Sequence, residues 1–309
     1  MQRIFIDGSA GTTGLRIHER LAGREDILLV TIPEAQKKDP AVKREMLNTG
    51  CDVAILCLPD DASREDVGLI ENPEVTVLDT STAHRTDPRF AYGFPELSKA
   101  HREKILSSRR IAVPGCHASG FIALVYPLVE AGLIAPETGL VCHSLTGYSG
   151  GGKKMIAQYE APARDRLLDA PRQYGVSQAH KHLPEMTAVT GLSTAPIFCP
   201  IVGDFYSGME VTVGLFARDI HGSVDDIRRV YAEKYAGPVV TYREGVDEEG
   251  FLSAGAMSGK DGMEITVTGN DERMLLIARF DNLGKGASGA AVQCLNLVLG
   301  ADETRGLTL

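Results

Sequence analysis

The six cysteines of this 309-residue chain (Cys51, Cys57, Cys116, Cys142, Cys199 and Cys294) include no CxxC pair. Their scatter through apolar segments argues against both a disulfide framework and a zinc site, so reduced thiols and no metal are expected. Positive charge is in deficit, with 32 Lys and Arg against 41 Asp and Glu and a net charge of -9. That balance disfavours nucleic acid and anionic membranes as partners, while leaving room for a local basic pocket that takes a phosphorylated metabolite. No apolar run is long enough to span a bilayer, and Met1 to Asp7 reads as a strand where a signal peptide would stand. A cytoplasmic protein with small-molecule partners is expected. Internal repeats and low-complexity segments are absent, and two domains are the natural expectation for this length.

What is present begins with a nucleotide-binding pattern. The apolar run Arg3 to Asp7 leads directly into Gly8-Ser-Ala-Gly-Thr-Thr-Gly14, and Leu15 to Leu21 follows at helical spacing. Strand, glycine turn and helix in this order let the backbone approach a pyrophosphate, which the helix N-terminus holds with its N–H groups and dipole. Gly8, Gly11, Thr12 and Gly14 are the expected cofactor contacts. A second run, Ile27 to Ile32, ends at Pro33-Glu34 with Lys37 and Lys38 just beyond. An acidic group there suits a ribose hydroxyl and lysines suit a 2′-phosphate; the reading leans towards NADP, with a solvated turn as the alternative.

Strands and helices continue to alternate through Ala41 to Leu47, Asp52 to Pro59, Asp61 to Ile70 and Val75 to Asp79. Such alternation predicts a Rossmann-like, doubly wound parallel sheet of an α/β fold, with functional loops at the strand ends. Asp79-Thr-Ser-Thr-Ala-His-Arg85 is one such loop. Ser81 is assigned there to the cofactor and Arg85 to an anion, while Asp60 and Asp79 read as capping residues.

The stretch Arg110 to Gly120 carries the candidate nucleophile. An apolar strand is stopped by Pro114-Gly115, and Cys116 stands at the mouth of a helix over Ala118 to Ala131. A cysteine in that place meets unpaired backbone N–H groups and the positive end of a dipole, which favour a thiolate and an oxyanion beside it. A small buried hydrophobe behind the turn is the alternative. Further on, Gly147-Tyr-Ser-Gly-Gly-Gly-Lys-Lys154 offers glycine-rich backbone with Ser149 and Lys153 for an anion, without the full Walker pattern. His180-Lys-His-Leu-Pro-Glu185 brings two histidines ahead of a helix start, with Glu185 placed to orient one of them. A neutral imidazole within reach of Cys116 is suited to move its proton.

The second half reads as long apolar strands with Val224 to Tyr235 as the one clear helix among them, then a final helix over Ala287 to Leu299. That pattern predicts an α+β substrate or dimerisation domain with a mixed or antiparallel sheet over 116–284. Residues 1–115 and 285–309 are expected to form the dinucleotide-binding domain.

Taken together, Gly8 to Gly14, Asp79 to Arg85 with Tyr92-Gly-Phe-Pro-Glu-Leu97, Val113-Pro-Gly-Cys116, Ser149-Gly-Gly-Gly-Lys153, His180 to Glu185 and Asp281-Asn-Leu-Gly-Lys-Gly286 resemble the N-acetyl-gamma-glutamyl-phosphate reductase family, in its shorter form. The resemblance runs from the first glycine turn to the last helix. It implies Cys116 as nucleophile, His180 as acid/base, and Gly11, Thr12, Gly14, Asn282 and Gly286 around NADP. Arg85, Ser149, Lys153, His182 and Glu185 are assigned to the substrate. The implied reaction is an NADPH-dependent reduction of an acyl phosphate through a cysteine thioester, releasing phosphate, in arginine biosynthesis, by a homo-oligomer. One departure is visible: after the cysteine, relatives typically carry Tyr, Pro or Ala, then Thr, whereas this chain has His117-Ala-Ser119, leaving open whether His117 shares the proton work. An aspartate-semialdehyde dehydrogenase-like reductase and a non-catalytic NADP-binding redox sensor are the alternatives.

Overall fold

The computed structural model describes residues 1–9, 11–37 and 39–309; Ala10 of the glycine turn and Lys38 lie outside the described residues. The chain forms two compact units, the first from Met1–Pro95, Lys99–Pro114 and Ala287–Leu307, the second from Glu96–Ser98, Gly115–Gly286 and Thr308–Leu309.

In the first unit, β1 (Gln2–Asp7), β2 (Ile27–Val30), β3 (Val53–Leu56), β4 (Thr76–Asp79), β5 (Ala91–Tyr92) and β6 (Arg110–Ala112) pair in the order β2-β1-β3-β4-β6-β5. Every neighbouring pair is parallel. Successive strand residues point to opposite faces, and both faces are covered: Ile4, Ile6, Val53 and Ile55 join one apolar cluster, while Phe5, Ala54 and Leu56 join another. Helices α1 (Thr12–Leu21), α2 (Pro40–Glu45), α3 (Asp60–Leu69) and α4 (Lys99–Ser107) belong to this unit. The chain's last helix (Gly289–Val298) returns to it and adds Val292 and Leu295 to the first cluster.

The second unit contains α5 (Cys116–Glu130), β7 (Val141–Gly147), α6 (Gly152–Tyr159), β8 (Arg172–Gln173), α7 (Leu183–Thr190), β9 (Ile197–Gly203), β10 (Met209–Phe216), α8 (Val224–Lys234), β11 (Val240–Tyr242), β12 (Met263–Gly269) and β13 (Arg273–Phe280). Its sheet runs β11-β12-β13-β10-β7-β9-β8. Parallel pairing joins β11 to β12 and β7 to β9, and the other pairs are antiparallel, so the sheet is mixed as expected. The α/β architecture with a doubly wound parallel sheet and a separate mixed sheet is therefore as the sequence pattern implies. Among the described residues no helix is long and apolar enough to cross a membrane.

Helix α5 begins at Cys116 itself, two residues ahead of the periodic stretch, and is buried over most of its length. Glycine at 120 lets it lie close on the sheet, since a Cβ there would come 2.5 Å from Val211 Cγ2 and 2.9 Å from Phe280. Pro127 lies inside the helix and has no N–H for the Ala123 carbonyl four residues earlier. The Tyr235 hydroxyl donates to that carbonyl at 2.7 Å, and Tyr231 donates to the Leu124 carbonyl at 2.6 Å. A proline that would otherwise leave a buried acceptor unpaired is thus accommodated by Tyr235 at the C-cap of α8, while Tyr231 on α8 braces the next carbonyl.

The turn after β1 is held by Gly8, whose φ is +77° and whose added Cβ would stand 2.2 Å from the Cys57 carbonyl oxygen. Both strain and collision act against any side chain. Gly8→Ala is expected to lower the stability of the chain by about 2–4 kcal/mol in urea unfolding, and an unchanged midpoint and slope would contradict this account.

Candidate active site

The three glycines of the first turn are required for different reasons. Gly8 and Gly14 are set by the protein's own packing, a Cβ at 14 falling 2.4 Å from the Gly8 carbonyl oxygen. Gly11 has an ordinary φ of -73°, and a Cβ there would meet only the Gly8 oxygen, at 3.3 Å. Internal packing alone does not demand glycine at 11. Gly11 is the N-cap of α1, which has no side-chain cap and no acidic residue in its first turn, so its first N–H groups and dipole remain available to an anion. The arrangement fits a dinucleotide pyrophosphate. Asp7, just before the turn, accepts from the Gly8 N–H at 2.8 Å and meets Lys43 Nζ at 3.0 Å; Lys43 also reaches Asp66 at 3.0 Å. Burial, with Asp7 beside it, pushes the Asp66 carboxyl up. Lys37 pairs with Glu34 at 2.5 Å on an exposed turn beyond β2.

The other two residues assigned in this unit are already engaged by the protein. Ser81 is buried, donating to Asp79 Oδ2 at 2.8 Å and accepting from the Ala83 N–H at 3.1 Å. Asp79 also meets His84 Nδ1 at 2.6 Å. Arg85 is buried with Nε on the Val113 carbonyl and Nη2 on the Thr80 carbonyl, both at 2.9 Å. These bonds tie the ends of β4 and β6 together.

The second unit brings together the chemistry-bearing residues. Cys116 is half-buried as the first residue of α5, whose N-cap Gly115 supplies no side chain. The Gly115 N–H donates to Glu185 Oε1 at 2.8 Å, so the buried Glu185 on α7 anchors the turn that presents the cysteine. Gly286 lies alongside: a Cβ there would stand 3.0 Å from the Cys116 Cβ. His180 lies just ahead of α7 and accepts at Nδ1 from the His182 N–H at 3.2 Å. That bond places the neutral ring's hydrogen on Nε2, a donor suited to a thiolate or an oxyanion. Burial and then the Lys181 charge lower its pKa below 6.5.

Around these two stand groups that sequence reasoning missed or left open. His117 is buried, with Nδ1 at 2.6 Å from Ser144 Oγ and Nε2 at 2.5 Å from the Tyr174 hydroxyl. Burial, with His180 next to it, pulls its pKa down to about 3. It is therefore neutral at ordinary pH and does not serve as a charged proton carrier. The ring of His117 lies 6.0 Å from that of His180 and 5.7 Å from that of His182, while His180 and His182 are 4.8 Å apart. Phe198 packs against His117 and His180 at 5.3 and 5.1 Å, and Tyr174 lies 5.9 Å from each of the same two rings. Burial and the neighbouring Cys116 sulfur push the Tyr174 phenol up. Tyr174 comes from a polar stretch without periodicity, where nothing in the sequence marked it.

Ser149 and Asn282 are both buried and bonded to each other, Nδ2 to Oγ at 2.9 Å, while Asn282 Oδ1 accepts from the Gly208 N–H at 2.9 Å. Lys153 is exposed on the first turn of α6, and His182 is buried. The wide helical turn that carries Gly286 (Gly284–Ser288) is fixed at its start by Asp281, which accepts from Ser207 Oγ at 2.8 Å and from the Gly259 and Leu283 N–H groups at 2.5 and 2.6 Å. Lys285, also buried, meets both oxygens of Glu96 at 2.9 and 2.8 Å. A cavity of ≈ 550 Å³ opens beside His180, walled by Gln178, Leu183, Pro184, Thr187 and Ala195. Among the described residues no group of three or more His, Cys, Asp or Glu is arranged to hold a metal ion.

Comparison with known proteins bears on these features. Residues 3–105 match the model of the semialdehyde dehydrogenase NAD binding domain, and residues 116–282 match that of the semialdehyde dehydrogenase dimerisation domain. Among curated proteins, N-acetyl-gamma-glutamyl-phosphate reductase 2 of Pseudomonas putida is 43% identical over 98% of both chains. The N-acetyl-gamma-glutamyl-phosphate reductase of Sinorhizobium medicae is 44% identical over 97% of this chain and 99% of its own, and that of Brucella anthropi 46% over 96% and 98%. Among solved structures, aspartate semialdehyde dehydrogenase II of Vibrio cholerae, complexed with ASA, superposes with a TM-score of 0.72 over 97% of this chain and 98% of its own, at 16% identity. That likeness concerns the fold.

Lys181 is exposed and acts on His180 through its charge. Lys181→Met removes a like charge and is expected to raise the His180 pKa toward 6.5, read from the pH dependence of its imidazole NMR signals. A downward shift, or none, would show that the lysine is not part of the cause.

Proposed function

The chain belongs to the N-acetyl-gamma-glutamyl-phosphate reductase family, and on that premise we propose that it reduces N-acetyl-glutamyl 5-phosphate with NADPH to N-acetyl-glutamate 5-semialdehyde and phosphate, a step of arginine biosynthesis. It is an NADP-dependent oxidoreductase. The observation that carries the reading is Cys116 at the open N-terminus of α5, in one cluster with the His180 imidazole.

The helix N-terminus favours the Cys116 thiolate, and the His180 Nε2–H, its Nδ1 being taken by the His182 N–H, is the group assigned to donate to it. The sulfur bonds to the acyl carbon, the bond from that carbon to the phosphate oxygen breaks, and phosphate leaves with the electron pair and takes a proton from water. A thioester on Cys116 remains. NADPH, when bound, would supply the hydride that the thioester's carbonyl carbon accepts. His180 Nε2–H and the first N–H groups of α5 then stabilise the oxyanion, as an acid and an oxyanion hole do. When the carbon–sulfur bond breaks, the aldehyde departs and the thiolate is restored. His180 Nε2–H lends its proton to the oxyanion and takes it back as the carbon–sulfur bond breaks, and this is its acid/base role, with the acid half prepared in the resting tautomer.

Gly8, Gly11, Thr12 and Gly14 would hold the cofactor's pyrophosphate on α1, and Ser81, Asn282 and Gly286 are assigned to the same molecule. Lys153, Ser149, His182, Glu185 and Arg85 are assigned to the substrate, Glu185 acting through the Gly115 N–H and Arg85 through the strand ends that it joins. The cavity beside His180 has the size of a small-metabolite site and mostly apolar walls, which suits the N-acetyl group. Val141, Ile197, Phe216 and Leu275 stand exposed on one face of the second sheet and support a homo-oligomer formed through it. A cytoplasmic location accompanies this reading, consistent with six free cysteines.

The test is phosphate-dependent oxidation of N-acetylglutamate semialdehyde, with NADP and NAD compared and aspartate semialdehyde as the competing substrate. Turnover of the first with NADP is expected; no phosphate-dependent turnover would favour a redox sensor. Cys116→Ser is expected to lower kcat by about a thousandfold or more while cofactor binding persists. Gly11→Ala is expected to lower stability by no more than about 1 kcal/mol, through the loss of a glycine N-cap, and to weaken NADPH binding about tenfold, because its Cβ enters space kept for the anion. Unchanged affinity in a calorimetric titration would remove Gly11 from the cofactor site.

A further inference from the structure

The group of side chains that the proposed reaction leaves unused is the hydrogen-bonded series Ser144, His117 and Tyr174. Its direction follows from proton inventory. The buried His117 ring is neutral, so one nitrogen donates and the other accepts. If Tyr174 donated to Nε2, then Nδ1 would donate to Ser144, and the Ser144 hydroxyl hydrogen would need another acceptor. Ser144 is fully buried, and among the described residues its hydroxyl meets only His117. The opposite direction strands no proton: Ser144 Oγ–H donates to Nδ1 at 2.6 Å, and Nε2–H donates to the Tyr174 oxygen at 2.5 Å. The tyrosine O–H is then the free end of the series. Tyr174 is only half-buried, packs edge-on to His180 at 5.9 Å, and is hydrogen-bonded to His117, the residue that directly follows Cys116.

We propose that Tyr174 is a further catalytic residue, its O–H directed by His117 and Ser144 to donate to the anion at Cys116: first the thiolate, then the oxyanion on the carbon bonded to it. This rests on the reading of Cys116 as nucleophile. His117 and Ser144 are positioning residues that act through Tyr174. Because its phenol is pushed up and not down, Tyr174 keeps its proton and serves as a donor throughout. The other titratable or charged groups of the cluster and of the segment leading into α7 are His180, Lys181, His182 and Glu185.

Tyr174→Phe removes one oxygen and is the direct test in the full chain. Alkylation of Cys116 by iodoacetamide is followed across pH at the Cys116 peptide, with kcat and KM measured alongside. The variant is expected to move the alkylation midpoint up by about one pH unit and to lower kcat about 10–100-fold at nearly constant KM. His117→Leu is expected to do the same, and the double variant to be no worse than Tyr174→Phe alone, since the two act in one series. An unmoved alkylation midpoint in a variant of wild-type thermal stability overturns the proposal, as do losses that multiply in the double variant. If the wild type fails to turn over the acyl phosphate, the proposed function falls, while the alkylation midpoints still decide whether Tyr174 serves the sulfur.

Discussion

A single backbone donor, the N–H of Gly115, governs the geometry of the catalytic cluster. Helices begin with N–H groups that the helix itself cannot use, and here the group just outside the first turn is taken by the Glu185 carboxylate. Glu185 sits on α7, and His180 and His182 lie on the segment that leads into α7. Nucleophile and imidazole, distant in the chain, are thereby tied through one charge-assisted bond. The donors of Cys116 and the residues after it stay directed outwards because the anchor acts one residue earlier.

Burial supplies the electrostatics of this site more than charge does. His117 is neutral because it is enclosed, and that neutrality gives its two hydrogen bonds a direction. His180 is held neutral by partial burial and by the lysine next to it, with the His182 N–H favouring the same state. Small residues set the remaining distances. Gly286 admits its helical turn beside the cysteine, and Gly120 seats α5 on the sheet. The dinucleotide turn shows the same economy of side chains, with Gly8 and Gly14 demanded by the backbone and Gly11 left over for a ligand.

The fold was legible in the sequence wherever periodicity is strong and local. Buried runs such as Val53–Leu56 announce strands covered on both faces, and the alternation of strands with helices announces the parallel sheet. α4 escaped because it buries only Ile105, and β5 because two residues carry no period. At the site, Cys116 and His180 were marked by their neighbours: a Pro-Gly stop before the one, a helix start after the other. Tyr174 and Ser144 were not, since their roles arise from contacts with His117 across 57 and 27 residues of chain. The same holds for Glu185, whose partner is 70 residues away, and for Asn282, which bonds across 133 residues to Ser149. Chemistry written in neighbours can be read from one strand of letters, whereas pairings made by folding cannot.

The pair formed by Lys285 and Glu96 carries a consequence for how this chain can be divided. Glu96 to Ser98 belong to the second unit, although the residues on either side of them belong to the first. A fragment cut at residue 115 would keep the buried ammonium and discard the carboxylate that meets it, at a cost of about 3–5 kcal/mol. The catalytic half is thus not a detachable module. Any chimera that exchanges it with a relative must carry those three residues along, and selection on the helical turn beside the nucleophile reaches back into a stretch of chain that no linear map would assign to it.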